Sequence, residues 1–208
     1  MPAFFAQPAL LWPVVTHLGS SSLMLPIFGI ALAGLWYAGH VAAARIWLLA
    51  LGVVSGITLV SKCLFMGWGI GIAALNFTGV SGHTLLAASI FPVLCHWLFL
   101  PPSVGRYTGV VAGLLLAALI GVSRVVLGAH SVSEVVIAGW MGLVVSGLTV
   151  RALPHGARAP WFARLSPLVL LLALHTSTAT YLPSHAWEVR LALYLSGHDR
   201  PFQRHDLL

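Results

Sequence analysis

The sequence predicts an all-α, polytopic membrane protein built as a bundle of six transmembrane helices, and two observations carry this prediction. Apolar residues make up 59% of the 208 residues and charged residues only 7%, with a mean hydropathy of +0.98. A soluble domain carries about 25% charged residues, so a soluble globular enzyme is excluded, as is a disordered chain. The apolar residues also cluster into segments of the length that a helix needs to cross a bilayer, about 20 residues.

Six apolar segments qualify as spans. The third stops at Pro101-Pro102, and the fourth ends at Gly128, because both residue types favour helix ends. In order, the predicted spans cover residues 21–37, 46–61, 83–100, 107–127, 131–150 and 162–179.

The two ends of the chain are predicted to lie outside the bundle. The first arginine is Arg45, so the N-terminus has no basic region typical of a signal peptide. Residues 1–18 are expected to form an interfacial segment, which leaves 1–180 as the integral membrane domain and 181–208 as an extracytoplasmic tail. Within the tail, the mixed stretch 185–195 indicates a helix lying on the membrane surface, and a lid docked over the bundle is the alternative.

The charges of the predicted loops indicate which side of the membrane each loop faces. The net charge is +6, and Lys62 is the only lysine. In so apolar a chain the excess indicates positive cytoplasmic loops and a site for an anion, so no nucleic-acid partner is expected. The loops after spans one, three and five carry arginines and no acid, which places them in the cytoplasm and the opposite face outside. The arginines of these loops are Arg45, Arg106, Arg151, Arg158 and Arg164.

Five polar residues at the span ends need a reason, because charges inside apolar segments are costly. By the predicted topology all five project to the outer face. They are Lys62, His83, Arg124, His130 and Glu134.

Together these residue types suit phosphoryl transfer. Lys62 and Arg124 offer two cations for a phosphate, and Ser81-Gly82 offers a hydroxyl and amides at a helix N-terminus. One of the two imidazoles, of His83 and His130, could attack or accept a proton while the other donates.

Glu134 lies four residues after His130 and so on the same helical face, where it could fix the tautomer of that ring. Each of these residues except Arg124 also has a plainer interpretation. Ser131 and Glu134 fit a capping box, Lys62 fits a side chain reaching for the headgroups, and a single histidine at a helix end is usually structural. The two cysteines, Cys63 and Cys95, are expected to be buried thiols.

The pattern resembles the type-2 phosphatidic acid phosphatase superfamily, in its membrane lipid phosphatase branch. Ser123-Arg124, His130 and the following acid match its third signature. Ser81-Gly82-His83 is similar to the second signature, and Lys62 to the start of the first. The resemblance covers residues 60–135 and the six-span layout.

The resemblance implies a role for each residue. His130 would attack phosphorus and form a phosphohistidine, Glu134 would orient His130, and His83 would protonate the leaving oxygen. The phosphate oxygens would be held by Lys62, Ser81, Gly82 and Arg124. Members of the family need no metal, so neither a metal nor another cofactor is expected.

Three positions depart from the family pattern. Gly69-Ile70 stands where the first signature ends in Arg-Pro, Val80 replaces a proline, and Glu134 replaces an aspartate. Loss of one charge-assisted contact costs about 1.5–3 kcal/mol, so lower activity is expected unless the amides of the Gly-rich stretch 67–71 substitute for the arginine.

The sequence therefore predicts a metal-independent phosphatase of lipid phosphates or diphosphates, facing the periplasm or exterior of a bacterial-type inner membrane. Undecaprenyl diphosphate, phosphatidate, phosphatidylglycerol phosphate and lipid A all fit. A lipid-to-lipid phosphotransferase and a non-catalytic protein that binds anionic lipid remain alternatives. Membrane lipids are the expected surroundings, and the sequence sets no oligomeric state.

Overall fold

The computed structural model describes residues 8–99, 107–157, 159–161, 163–165, 168, 172 and 184–207. Within these ranges the chain is helical, and its one β-bridge joins Ile72 to Phe77. The helices are α1 (Pro8–His17), α2 (Ser21–Tyr37), α3 (Val41–Trp68), α4 (Gly82–Leu94), α5 (Thr108–Val126), α6 (Val132–Ala152) and α7 (Ser184–Ser196). Short 3₁₀ turns cover Ala73–Leu75, Ala163–Leu165 and Arg204–Asp206.

Four stretches among the described residues are long and apolar enough to cross a membrane. They are Leu11–Tyr37, Val41–Trp68, Thr108–Val126 and Val132–Ala152, and Gly82–Leu98 is a shorter apolar helix. A helical protein with several helices long and apolar enough to cross a membrane is thus confirmed for the described residues. The sixth predicted span, 162–179, lies almost entirely outside the described residues.

The second predicted span, 46–61, is too short, and the third, 83–100, has the predicted extent but is not α-helical throughout. Helix α3 runs from Val41 to Trp68 instead of 46–61, because Arg45 and Lys62 do not stop it. The α-helix of the third span ends at Leu94, and a π-helical turn continues it over Cys95–Phe99. Widened turns of this kind are short and are not visible in hydropathy.

Helix α4 is the centre of the bundle. Every side chain from Thr84 to Leu94 is buried except that of Leu86. Helices α5 and α6 approach it closely because glycines face it. A Cβ at Gly113 would overlap the backbone of Pro92, and one at Gly142 would overlap Ala88. Small residues give membrane helices this close contact, where apolar burial alone favours association little.

The buried core joins α2, α3 and α4 through aromatic residues. Trp47 is fully buried, and its indole Nε1–H donates to the Ser89 carbonyl at 3.0 Å. Its ring meets Phe28 edge-on with centroids 4.8 Å apart. Both cysteines are free and buried, as predicted.

The tail packs on the bundle. A small apolar cluster joins the end of α3 to α7 through Phe65, Met66 and Ala192, with Phe202 and Leu207 beside it. The main chain also connects α3 to the segment after α7, because the Phe202 N–H donates to the Met66 carbonyl at 2.9 Å. The alternative of a docked tail therefore describes the contacts of α7 better than a helix touching only lipid, and the interfacial location of the tail stays a prediction.

Candidate active site

The predicted polar residues lie at one end of the bundle. Those on helices are each near the end of a helix, and these helix ends lie together. Lys62 is in the last turns of α3, and His83 is in the first turn of α4. Arg124 is near the end of α5, and Glu134 is in the first turn of α6. The connection between α5 and α6 carries His130, so the chain returns through the same region.

A cavity of about 700 Å³ opens at this end of the bundle. Five of the seven predicted site residues line it, and they come from α3, α4, α5 and the connection between α5 and α6. These five are Lys62, Gly82, His83, Arg124 and His130.

The other two predicted residues lie behind the cavity wall. Ser81 is completely buried, and its hydroxyl shares a 3.0 Å hydrogen bond with the hydroxyl of Thr84. Glu134 is also completely buried. The structure therefore does not point the Ser81 hydroxyl at an anion in the cavity, although Ser81 caps the helix on which His83 lies.

Glu134 is the most heavily bonded side chain of the site. Its Oε2 accepts the ring Nδ1 of His130 at 2.7 Å and the Ser131 N–H at 3.0 Å. Its Oε1 accepts the backbone N–H and the hydroxyl of Thr78 at 2.6 and 2.7 Å. The capping box of Ser131 and Glu134 is present as well. The capping and orienting interpretations of Glu134 are therefore both met by the same carboxylate.

The Nδ1 contact leaves the other ring nitrogen of His130, Nε2, for chemistry. When Nδ1–H donates to a carboxylate, the neutral ring carries its lone pair on Nε2. Burial lowers the pKa of His130 below its ordinary value, and Lys62 and Arg124 lower it further, while the bond to Glu134 raises it in part. A neutral ring with a lone pair is the form that can act as a nucleophile.

The cations of the cavity differ in how they are paired. Lys62 Nζ lies 2.8 and 2.9 Å from the two carboxylate oxygens of Glu188 on α7. Arg124 Nη1 donates to the hydroxyl of Thr16 at 2.8 Å. No carboxylate of the described ranges forms an ion pair with Arg124, and its buried Nε has no hydrogen-bond partner there.

A tight glycine turn holds Lys62 in place. Gly79 has φ +152°, in the region that favours glycine. A Cβ at this position would lie 2.9 Å from Lys62 Cγ. The absence of a side chain lets the turn before α4 pass directly over the Lys62 stem.

Backbone amides of the Gly-rich stretch do not replace the arginine missing from the first signature. The N–H groups of Gly69 and Ile70 donate to the carbonyls of Phe65 and Leu64, where they close the end of α3. Instead, a cation from the tail, Arg204, lines the cavity.

Sequence reasoning missed four residues of this region. Thr16, Thr78, Glu188 and Arg204 each bond a predicted site residue. Three of the four acidic residues of the chain follow position 180. That bias, in a tail expected on the outer face, was the available signal for Glu188.

None of the described residues form a group of three or more His, Cys, Asp or Glu side chains that could hold a metal ion. The cavity lining includes three histidines, His83, His130 and His185, and three cations, Lys62, Arg124 and Arg204. Imidazoles among cations suit a tetrahedral anion.

Comparison with known proteins gives one family match and two similar relatives. The family model of the PAP2 superfamily matches residues 48–156, a range that contains all seven predicted site residues. An uncharacterized 22.5 kDa protein in the cps region of Klebsiella pneumoniae is 32% identical over 206 residues, covering 94% of this chain and 97% of the relative. Phosphatidylglycerophosphatase B of Bacillus subtilis (strain 168) is 31% identical over 139 residues, covering 63% of this chain and 68% of the relative. No solved structure gives a significant match.

Proposed function

This chain belongs to the PAP2 superfamily, and from that premise we propose that it is a membrane lipid phosphatase. One observation carries the proposal. The two predicted imidazoles and the two predicted cations line one cavity, together with His185 and Arg204, and the ring of His130 is held through Nδ1 by a buried carboxylate. A phosphate monoester or diphosphate is the substrate class that such a set fits.

Substrate binding begins at the cations. Arg124 has no carboxylate partner among the described residues and has a buried Nε without an acceptor there, so an incoming phosphate satisfies it. Lys62 is held by Glu188, and the phosphate displaces that carboxylate. The amide end of α4 at Gly82 lies beside Lys62, because a Cβ there would be 3.7 Å from Nζ, and it adds helix-dipole stabilisation.

The first chemical step is attack by His130. Its Nε2 lone pair forms the N–P bond while the bond between phosphorus and the lipid oxygen breaks. Protonated His83 gives its proton to that leaving oxygen. Glu134 stabilises the positive charge that develops on the His130 ring, as a carboxylate does for a histidine it orients. The products of this step are the dephosphorylated lipid and a phosphohistidine.

The second step releases phosphate. His83, now neutral, takes a proton from water as the water oxygen attacks phosphorus and the N–P bond breaks. His130 leaves with its lone pair, and inorganic phosphate dissociates from Lys62 and Arg124. No metal takes part in this scheme.

The cavity walls favour a lipid substrate over a soluble one. Leu25, Leu59 and Leu86 line the same cavity as the cations, and apolar side chains can contact the first carbons of a lipid tail. The substrate class includes undecaprenyl diphosphate, phosphatidate, phosphatidylglycerol phosphate and lipid A. The Bacillus relative is named phosphatidylglycerophosphatase B, which makes phosphatidylglycerol phosphate the first lipid to test.

The protein is proposed to cross the inner membrane six times, with residues 1–180 as the membrane domain and 181–208 as the extracytoplasmic tail. The arginine-rich loops then face the cytoplasm by the positive-inside rule, and the cavity opens at the outer face. At that depth a lipid phosphate reaches the site while its tail remains in the bilayer.

A phosphohistidine can also transfer its phosphoryl group to an acceptor other than water, so lipid-to-lipid phosphotransfer is the close alternative. A protein that only binds anionic lipid is the alternative from another class, and it gains weight from the absent arginine of the first signature.

The test is phosphate release from a panel of these lipids by purified protein in detergent with a chelator present. Wild type is expected to be active, His130→Ala inactive, and His155→Ala, an exposed histidine far from the cavity, fully active. Equal release by wild type and His130→Ala contradicts the proposal. Transfer of the phosphoryl group to an added lipid alcohol, without free phosphate, selects the phosphotransferase.

A further inference from the structure

The tail supplies a cation that the bundle lacks. After Lys62, the sequence has no lysine or arginine until Arg106, which lies on the opposite side in the predicted topology. Arg204 lies 142 positions after Lys62 in the sequence, yet both side chains line the same cavity.

Arg204 bonds the carboxylate that holds His130. Its Nη2 lies 3.0 and 2.8 Å from Oε1 and Oε2 of Glu134. The same Oε2 contacts the His130 ring at 2.7 Å. The Arg204 guanidinium and the His130 ring therefore contact the same carboxylate oxygen, Oε2 of Glu134.

The rest of the guanidinium is held by the loop before α4. Nη1 donates to the backbone carbonyl and the side-chain oxygen of Asn76 at 2.7 and 2.9 Å, and Nη2 also contacts the Thr78 hydroxyl at 3.1 Å. Both terminal nitrogens are thus already engaged. Arg204 is consequently placed to act through Glu134, whereas Lys62 and Arg124 remain for the phosphate itself.

The tail that carries Arg204 is anchored independently of this contact. His198 Nδ1–H donates to the Gly67 carbonyl at 2.6 Å, and the Phe202 ring packs over Gly69, where a Cβ would lie 3.0 Å away. These contacts fix the tail just before Arg204, and Leu207 packs on the cluster of α3 and α7 just after it, so the position of Arg204 is set by the fold and not by Glu134 alone.

We infer that Arg204 is a positioning residue of the active site: it holds Glu134 against His130, so that the C-terminal tail completes the catalytic machinery. A Glu side chain has one more rotatable bond than Asp, and the charge-assisted contact of Arg204 Nη2 with both carboxylate oxygens restricts that freedom. The part of this inference that concerns turnover rests on the proposed function.

The first test reads the His130 ring and needs no substrate. Nitrogen NMR of histidine-labelled protein in detergent distinguishes the two neutral tautomers, and the His130 signal is the one missing in His130→Ala. Wild type should show His130 protonated at Nδ1. Arg204→Ala should mix in the other tautomer, Arg204→Lys should restore the wild-type form in part, and Arg200→Ala should match wild type.

Arg200 is the matched control because it lies in the same tail and loses the same charge, while its side chain is 77% exposed. If Arg204→Ala does not fold, Arg204→Gln takes its place, because it removes the positive charge but keeps a long polar side chain. A wild-type tautomer in the Ala or Gln variant overturns the inference, whatever the activity of the protein.

The second test separates positioning from substrate binding. Arg204→Ala should lower kcat by about 10- to 100-fold, since small misplacement of a reacting group costs up to about 10²-fold, and KM should change little. In a Glu134→Gln background the same substitution should cost almost nothing further, because residues that act as one unit are not additive. A rise in KM with normal kcat, or full additivity, overturns the positioning role.

The two experiments fail in distinguishable ways. If no lipid is hydrolysed by wild type but the tautomer responds to Arg204, the proposed function is wrong and the coupling of Arg204 to His130 stands. If hydrolysis depends on His130 but neither the tautomer nor kcat responds to Arg204, the function stands and this inference is lost.

Discussion

Glu134 shows how one buried acid can be stable in a nearly charge-free protein. It is completely buried, and a buried carboxylate without partners is strongly destabilising. Here the main chain of Thr78 and Ser131, the His130 ring and the Arg204 guanidinium all contact its oxygens. The same bonds that offset its desolvation also define its orientation, so they support both the stability of the fold and the orienting role proposed for Glu134.

Glu134→Gln should separate the capping role of Glu134 from its proposed role in orienting His130. The amide oxygen can still accept from the Ser131 N–H, so the capping box survives in part, but the charge that fixes the His130 tautomer is lost. We expect kcat to fall by about 10²- to 10⁴-fold, as expected when an orienting carboxylate becomes an amide. The measurement is kcat together with Tm in detergent. A variant that loses Tm but keeps kcat would show that Glu134 is only a capping residue.

The titration of His130 gives a second prediction at this scale. Burial and the nearby cations lower its pKa, so the ring stays neutral to a lower pH than an ordinary histidine, whose pKa is about 6.5. Histidine NMR of wild type should give a His130 midpoint below about 6.5, and activity should be lost as the pH falls through it, because the protonated ring has no lone pair. A midpoint above the ordinary value contradicts this electrostatic description.

At the scale of elements, α7 is the unexpected part of the site. Its Glu188 pairs with both of its carboxylate oxygens to Lys62, the residue that the family pattern gives to the phosphate. A carboxylate in this position resembles the anion that must replace it. Helix α7 thus holds Lys62 through Glu188, and if Lys62 binds the phosphate as proposed, Glu188 competes with substrate for it.

Glu188→Gln should weaken that competition. The pair is partly exposed, with side chains 20% and 18% accessible, and such pairs are worth at most about 1 kcal/mol. We expect KM for the lipid phosphate to fall by about two- to fivefold with kcat unchanged. Arg190→Gln, an exposed position on the same helix, controls for loosening of α7. An unchanged KM would mean that Lys62 is not a phosphate ligand.

For the molecule as a whole, the fold brings the site together through helix ends. Helix α4 is buried between α5 and α6, which approach it through Gly113 and Gly142. The N-terminus of α4 thereby lies beside the end of α5 and the start of α6. His83, Arg124 and Glu134 therefore come together while each remains within its own helix, α4, α5 or α6.

The proposed orientation can be tested on intact cells. The Tyr194 side chain on α7 is 85% exposed, and both native cysteines are buried. Once the outer membrane is permeabilised, Tyr194→Cys should react with a membrane-impermeant maleimide added to the cells. Wild type should not react, because both of its cysteines are buried. Labelling only after the inner membrane is broken would place the tail and the cavity in the cytoplasm.

The sequence by itself determined the helical membrane class and the neighbourhood of the site. Hydropathy is a property of each segment, so spans such as α5 and α6 were predicted to within two residues of Thr108–Val126 and Val132–Ala152. The residues from Lys62 to Glu134 could be chosen because polar groups at the ends of apolar helices are costly, and because three motifs occur in a family order.

Only the tertiary structure decided what the tail does. Whether residues 185–195 lie on lipid or dock on α3 depends on packing between segments more than 100 residues apart, as in the contact of Lys62 with Glu188, and hydropathy carries no information about such pairing. The same reason hid Arg204, whose importance follows from one shared oxygen of Glu134. Composition predicted an anion site, and side-chain geometry shows which charged residues line the cavity.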